Sequence, residues 1–298
     1  MKGKTMLDFT ERLKEPGILI ADGATGTMLQ SAGLPHGSAP ERWNLENPVA
    51  VRALYRTYVE AGSDIILTNT FGGSRPRLEG DNLGDKTIEI NRTAARLARE
   101  VAGDKVIVFG DIGPTGKLLK PLGPLVPADA VDAFAEQASA LAEGDADAIL
   151  IETMSDLNEA QLAIEGVRKV VGLPILVSFS FDTHGHTMMG IKPALAAREI
   201  WAMGVTAVGA NCGRTLSETL AAIQAMRQAV PEAVLIAKPN AGLPHADGAN
   251  LVYDVSPEIM AEYALKFAVE GVKIFGGCCG STPEHIRAVV KAFRQGTP

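Results

Sequence analysis

Cysteines are the residues with the clearest chemical meaning in this 298-residue chain. Cys278 and Cys279 stand side by side in the stretch GGCCG at 276–280, and the third cysteine, Cys212, lies in GANCG at 209–213. Both stretches are rich in glycine and follow an apolar run. Three thiolates that converge on one point form a zinc-binding set with one position of the tetrahedron left open, as in catalytic zinc sites. Their types and spacing therefore predict a Zn²⁺ site.

An open zinc position next to three thiolates is suited to binding a further thiol. Zinc ligation deprotonates a bound thiol at neutral pH, and three protein thiolates keep that sulfur nucleophilic. The predicted chemistry is attack of the thiolate on an activated methyl or alkyl group. A single buried cysteine usually packs as a small hydrophobe, but three at strand ends and none elsewhere favour a metal site. Redox use of Cys278 and Cys279 is disfavoured because adjacent cysteines close a strained ring.

Eight short apolar runs alternate with amphipathic helical segments along the whole chain, and this alternation is typical of a parallel sheet covered by helices. The predicted strands are 18–21, 64–73, 106–111, 148–153, 174–182, 205–209, 234–238 and 272–275. The predicted helices are 47–59, 86–101, 128–143, 157–171, 194–203, 216–230, 257–269 and 282–293. The expected fold is α/β, a single (β/α)8 TIM barrel over 1–298. A doubly wound open sheet is the alternative, but no Gly-x-Gly-x-x-Gly turn follows the first strand.

Polar residues follow the apolar runs, and in a barrel these positions share the C-terminal rim where active sites lie. The predicted rim residues are Asp22, Asn69, Asp111, Glu152, Asp182, Cys212, Asn240, Cys278 and Cys279. Three long loops, 30–46, 117–124 and 245–254, are expected at the same end of the barrel. The sixth and eighth strands are close in a barrel, so Cys212 can approach the cysteine pair.

Two carboxylates at the rim have a predicted role in binding substrate. Glu152 follows four apolar residues, and burying its charge without a cation would be costly. It suits a substrate ammonium group or a basic side chain of the protein. Asp22 has the same setting, and the backbone N–H groups of Gly23 and Ala24 offer donors for a carboxylate.

Composition narrows the range of functions. The net charge of −7 and the isoelectric point near 5.3 argue against a nucleic-acid or anionic-membrane surface. No apolar run reaches the length of a membrane span, and the first 14 residues have no signal-peptide core. An odd count of three cysteines favours a reducing compartment. We expect a cytoplasmic protein.

Short motifs in this chain resemble those of the homocysteine S-methyltransferase family, and they occur in order over nearly its whole length. They are DGATGT at 22–27, TNTF at 68–71, GPTG at 113–116, ETM at 152–154, GANC at 209–212, PNAG at 239–242 and GGCCG at 276–280. The resemblance implies a (β/α)8 barrel with zinc on Cys212, Cys278 and Cys279. It also implies that homocysteine binds through its sulfur at the open zinc position and is methylated to methionine. The predicted substrate-binding residues are Asp22, Gly23, Ala24, Glu152 and Asn211.

The methyl donor stays open at the level of sequence. The motifs at 22–27, 68–72 and 239–242 resemble the homocysteine module of cobalamin-dependent methionine synthase, whose folate and cobalamin modules would have to be separate partners. The stretch 181–190 instead resembles bacterial betaine–homocysteine methyltransferases. Animal betaine enzymes carry aromatic residues where this chain has Gly72 and Thr153. A different aromatic cage, which betaine requires, would be built from Trp43, Tyr55, Phe71, Phe179 or Tyr253. Use of S-methylmethionine is a further alternative, as is a catalytically silent thiol- or zinc-binding subunit that partners a corrinoid protein.

Overall fold

A computed structural model describes residues 9–247 and 250–295, and these residues form a barrel of eight parallel strands. The strands that form the barrel are β1 (Leu19–Ile20), β2 (Ile65–Leu67), β3 (Ile107–Ile112), β4 (Ala148–Met154), β5 (Ile175–Phe179), β6 (Ala207–Cys212), β7 (Leu235–Pro239) and β10 (Val272–Phe275). Two further strands, β8 (Pro244–Asp247) and β9 (Asn250–Tyr253), form an antiparallel hairpin after β7. The (β/α)8 TIM barrel predicted from the alternation of apolar runs is confirmed.

The order of strands around the barrel is β1-β10-β7-β6-β5-β4-β3-β2. A parallel bridge between Ala21 and Ile65 joins the two ends of this order and closes the barrel. The strand β7 therefore lies between β6 and β10, the two strands that lead into the cysteines. Pro239, the last residue of β7, is paired with Cys212, the last residue of β6.

Eight helices of 10 to 17 residues alternate with the barrel strands and cover them on the outside. They are α4 (Pro48–Ala61), α6 (Thr87–Ala102), α7 (Pro127–Glu143), α8 (Leu157–Val170), α9 (Pro193–Ala202), α10 (Leu216–Ala229), α11 (Pro257–Val269) and α12 (Pro283–Gln295). Five of them begin with proline, whose fixed φ and missing N–H suit the first turn of a helix.

Short helices fill the segments around the first two barrel strands. They are α1 (Phe9–Lys14), α2 (Gly26–Ser31), α3 (Trp43–Glu46) and α5 (Arg75–Leu78), with 3-10 turns at Pro40–Arg42, Glu79–Asp81 and Gly84–Lys86. The predicted loop 30–46 thus contains short helical turns, and the predicted loop 245–254 contains most of the hairpin. These elements depend on tertiary contacts, so they leave no periodic signal in the sequence.

The apolar residues form two layers, one inside the barrel and one between strands and helices. Alternate strand residues point inward and outward, so Ile65 and Leu67 belong to the inner cluster and Ile66 to the outer one. At the N-terminal end of the barrel, Phe9 of α1 packs edge-on against Phe109, with ring centroids 4.9 Å apart. Phe9 thereby closes the end opposite the rim. Among the described residues, no helix is both long and apolar enough to cross a membrane.

Truncation of Phe9 tests whether α1 closes the barrel. Phe9 is 2% exposed, so Phe9→Ala should leave a cavity and lower the free energy of unfolding by about 3 kcal/mol. Phe9→Leu, which keeps most of the volume, should cost only about 1 kcal/mol. Urea unfolding followed by circular dichroism measures both. Equal stability of the wild type and Phe9→Ala would show that α1 contributes nothing to closure.

Candidate metal centre

The three cysteines converge at the C-terminal rim of the barrel. Their Sγ atoms all lie within 4.8 Å of one another, and those of Cys212 and Cys278 are 3.0 Å apart. All three side chains are half-buried. Zinc binds thiolates at about 2.3 Å in a tetrahedron, and three sulfur atoms this close together can reach one such ion. The donor set therefore fits zinc with one position left for another ligand.

Asn240, which directly follows β7, links the two cysteine segments. Its side-chain oxygen accepts a hydrogen bond from the backbone N–H of Cys279 at 3.0 Å, and its side-chain N–H₂ donates to the carbonyl of Gly213 at 2.8 Å. Its backbone N–H donates to the carbonyl of Cys212. These bonds fix the separation between Cys212 and Cys279, and with it the size of the thiol cluster.

The glycines before the cysteine pair are required by close packing. A Cβ atom on Gly277 would lie 2.3 Å from the hydroxyl of Ser281, and one on Gly276 would lie 2.8 Å from the carbonyl oxygen of Asp22. Gly280, after the pair, has φ +77° and packs against the ring of Tyr253. The chain can thus turn sharply here and bring both thiols to the rim.

Two non-glycine residues at the rim, Thr153 and Cys212, have a left-handed backbone with φ +61° and +55°. Such conformations cost energy and are often found at functional sites. Asn211 stabilises the first of them: its side-chain oxygen accepts from the N–H of Thr153 and from Ser178, and its N–H₂ donates to the hydroxyl of Thr153. Its amide also lies 3.9 Å from the Sγ atom of Cys278. The geometry gives Asn211 a positioning role, and a direct substrate contact stays a prediction.

Hydrogen bonds among the three thiols shift their pKa values in different directions. Those from Cys212 and Cys278 lower the pKa of Cys279 to about 3, while the same contacts raise the pKa of Cys212. For Cys278, the bond with Cys212 lowers the pKa, but Cys279 and burial raise it to about 12. A divalent cation would favour deprotonation of all three thiols.

A cavity of about 550 Å³ opens beside the thiols. Its lining includes all three cysteines and the predicted substrate-binding residues Gly23, Ala24 and Glu152. The rest of the lining comes mainly from the segments 25–41 and 67–77, the loops after β1 and β2. The cavity is large enough for a small amino acid together with part of a second molecule.

Four buried charged groups, Asp22, Asp111, Glu152 and Lys238, lie together inside the barrel. Lys238 Nζ donates a hydrogen bond to Glu152 Oε2 at 2.9 Å, and the two side chains are 3% and 8% exposed. Glu152 is on β4 and Lys238 is on β7, which are not neighbours in the sheet, so this contact spans the interior of the barrel. Sequence alone left open whether Glu152 meets a substrate or a basic side chain, and its partner is Lys238.

The other two carboxylates are incompletely satisfied. Asp22 accepts a hydrogen bond from the N–H of Leu67 on Oδ2, whereas its Oδ1 and the Oδ1 of Asp111 are buried and have no protein partner. Burial raises the pKa of Asp22 to about 7, although Lys238 opposes the rise. Burial also raises the pKa of Asp111 well above its usual range. The unpartnered oxygen atom of Asp22 would therefore stabilise a bound cation in addition to Lys238.

The charge state of Lys238 follows from the same cluster. Burial lowers its pKa, but the carboxylates of Glu152, Asp22 and Asp111 outweigh burial and leave the pKa raised. Burial raises the pKa of Glu152, and the ammonium of Lys238 opposes that rise. At 2.9 Å, the contact is therefore an ion pair. Lys238 was expected only as the last residue of a strand, because a lone lysine after an apolar run carries no sign of a buried partner.

Of the two predicted backbone donors, the N–H of Ala24 is already engaged. It donates to the carbonyl of Ser281 at 3.0 Å, which ties the loop after β1 to the cysteine pair. The hydroxyl of Tyr58 binds the carbonyls of the same two residues. Ala24 thus holds the rim together, and its role in binding substrate stays a prediction.

Four of the five candidate aromatic residues for a donor cage are absent from the cavity lining. Phe71 alone among them lines the cavity, and the guanidinium of Arg77 lies 5.6 Å from its ring centroid. The rings of Trp43, Tyr55 and Phe179 are buried in the outer core, and Tyr253 packs on Gly280. One ring does not form a cage for a quaternary ammonium group.

The structure is a TIM barrel with a cluster of three cysteines at its rim. Comparisons with known proteins identify the family to which the chain belongs. A family model described as homocysteine S-methyltransferase matches residues 19–293. The methionine synthases of Mycobacterium leprae (strain TN) and Mycobacterium tuberculosis (strain ATCC 25618 / H37Rv) are each 32% identical to the chain, over 92% of its length. The match covers 24% of each synthase, so the chain spans about a quarter of these relatives.

Solved structures give the same fold. The homocysteine methyltransferase MmuM from Escherichia coli, in its metallated form, has a TM-score of 0.79 and 22% sequence identity, covering 94% of this chain and 97% of MmuM. A methyltransferase from Methanosarcina mazei has a TM-score of 0.62 and 13% identity, covering 98% of both chains. The chain belongs to the homocysteine S-methyltransferase family.

The hydrogen bonds of Asn240 can be tested by metal binding. Asn240→Ala removes the two side-chain links to the cysteine segments, and losing a group that orients ligands typically weakens metal binding roughly 10- to 100-fold. Asn240→Asp keeps the acceptor for Cys279 and should lose less. Zinc affinity measured by competition with a chromogenic chelator compares the three proteins. Wild-type affinity in Asn240→Ala would exclude this role.

Proposed function

We propose that this protein is a zinc-dependent homocysteine S-methyltransferase that forms methionine. The observation that carries the proposal is the convergence of Cys212, Cys278 and Cys279 within 4.8 Å on the wall of a cavity that also contains buried carboxylates. The cysteines would hold Zn²⁺, which keeps a bound substrate thiol in its thiolate form at neutral pH. Membership of the family supports homocysteine as that thiol.

The protein's own residues then bind and orient the substrate. The ammonium of homocysteine is assigned to the carboxylate of Asp22, whose Oδ1 atom has no protein partner and which directly precedes Gly23 of the cavity lining. Glu152 and Gly23 line the same cavity and confine the amino-acid end. The new bond forms between the substrate sulfur and the methyl carbon, while the bond from that carbon to the donor breaks and its electron pair leaves with the donor. The thiol proton is released before attack, so no general base is needed in that step.

The donor enters from the side of the cavity formed by the loops after β1 and β2. A single aromatic ring, that of Phe71, is offered there, which disfavours betaine held in an aromatic cage. The proposed donor is therefore a methyl-corrinoid or methylfolate, each presented by a separate partner or module. The similarity to methionine synthases over a quarter of their length agrees with this choice.

Replacement of one cysteine tests the proposal. Cys279→Ser should reduce zinc content after dialysis from about one ion per chain to well below it, and methionine formation should fall by a factor of roughly 100 or more, because thiolate is the better zinc ligand. Zinc is measured by mass spectrometry and methionine by chromatography. Chelator-treated wild type should lose activity and regain it with added zinc, which separates the metal from the variant's other effects.

A donor screen distinguishes the remaining alternatives. Methylcobalamin, methyltetrahydrofolate, betaine, S-methylmethionine, dimethylsulfonium compounds and S-adenosylmethionine are each supplied with homocysteine. Methionine should form most rapidly with the corrinoid or folate donor. Tight homocysteine binding with no turnover from any free donor would instead favour a silent subunit for a corrinoid protein. Full activity in metal-free protein would contradict the proposal itself.

A further inference from the structure

Lys238 has more hydrogen-bonding capacity than the protein uses. An ammonium group has three N–H donors, and within residues 9–247 and 250–295 one of them is donated, to Glu152. The side chain is only 3% exposed, so water has little access to the other two. Leaving such donors unpaired in the interior is unfavourable. Lys238 also lines the cavity that contains the cysteines, so a ligand there can supply the missing acceptors.

Unpartnered acceptors belong to the same buried cluster as Lys238. The Oδ1 atoms of Asp22 and Asp111 are buried without a hydrogen-bond partner, and both carboxylates are close enough to Lys238 to raise its pKa. The cluster therefore offers an acceptor for a cation and a donor pair for an anion at the same place. An α-amino acid carries both an ammonium and a carboxylate on one carbon, so its polar end complements this arrangement.

One of the two backbone N–H groups that the sequence predicted as donors to a substrate carboxylate already has a partner within the protein. The N–H of Ala24 donates to the carbonyl of Ser281, and the guanidinium of Arg77 lies 5.6 Å from the ring centroid of Phe71.

We propose that Lys238 binds the carboxylate of the thiol substrate and determines its selection as an amino acid. This assignment rests on the proposed function and deepens it. Asp22 takes the ammonium, and Glu152 is a positioning residue that holds Lys238 across the barrel. Two methylene groups then separate the anchored α-carbon from the sulfur at the cysteine cluster.

Three thiols separate the contributions of the two charges. L-homocysteine carries both groups, 3-amino-1-propanethiol lacks the carboxylate, and 4-sulfanylbutanoate lacks the ammonium. Their dissociation constants from the zinc-loaded protein are measured by calorimetry, which requires no methyl donor. We expect the wild type to prefer homocysteine over 3-amino-1-propanethiol by roughly 10- to 100-fold, the effect of a buried charge-assisted hydrogen bond.

The variant Lys238→Met keeps the length of the side chain and removes the ammonium. Its preference for homocysteine over 3-amino-1-propanethiol should fall to about one, because neither ligand then gains a carboxylate contact. Its preference over 4-sulfanylbutanoate should remain, because Asp22 is intact. The double variant Lys238→Met with Glu152→Gln removes the carboxylate that the single change leaves buried and unpaired, and it should show the same ratios. Lys169→Met, at an exposed ion pair with Asp132, is the matched control.

The outcomes separate this assignment from the proposed function. An unchanged preference over 3-amino-1-propanethiol in both Lys238 variants would overturn the role of Lys238 and leave the function standing. That role would also be overturned if the wild type itself did not distinguish those two thiols. A zinc-loaded wild type that binds none of the three thiols would contradict the proposed function and the role of Lys238 together.

Discussion

The candidate site depends on one strand, β7, which separates the two strands that carry the cysteines. The last residue of β7, Pro239, contacts both cysteine segments. It is paired with Cys212, and its carbonyl accepts a hydrogen bond from the backbone N–H of Cys278 at 2.9 Å. Asn240 then binds the backbone on each side. Residues 66 positions apart in sequence thereby bring their sulfur atoms to 3.0 Å. The backbone contacts of β7 therefore hold the two cysteine segments at a fixed distance from each other.

The same strand also supplies the central buried charge. Lys238 precedes Pro239 and points to the opposite wall of the barrel, where it meets Glu152. Isolated buried charges are very costly, and a pair is tolerated only with good geometry. A cluster of three carboxylates with one lysine keeps unpartnered oxygen atoms in a buried site, a cost that a bound ammonium would remove. The cysteine cluster and the charged cluster are therefore two parts of one site, organised by adjacent residues of one strand.

The sequence was most informative where a physical pattern repeats. Eight apolar runs that alternate with eight amphipathic helices predicted the barrel. The strand ends of a parallel barrel share one rim, so the approach of Cys212 to Cys278 could be predicted from strand order. The carboxylates Asp22 and Glu152 were expected for a similar reason, since each follows such a run. Tertiary contacts that join distant strands leave no local pattern. For this reason the partner of Glu152, the use of the Ala24 N–H and the hairpin within 245–254 became visible only in the fold.

Ligand identity at the cysteine cluster is the most direct test of the proposed zinc chemistry. X-ray absorption at the zinc edge counts the sulfur atoms around the metal in the zinc-loaded protein, before and after L-homocysteine is added. We predict three sulfur ligands plus one lighter atom in the free protein, and four sulfur ligands with homocysteine. Fewer than three sulfur ligands in the free protein, or a count that homocysteine leaves unchanged, would contradict a thiol substrate activated on a three-cysteine zinc site.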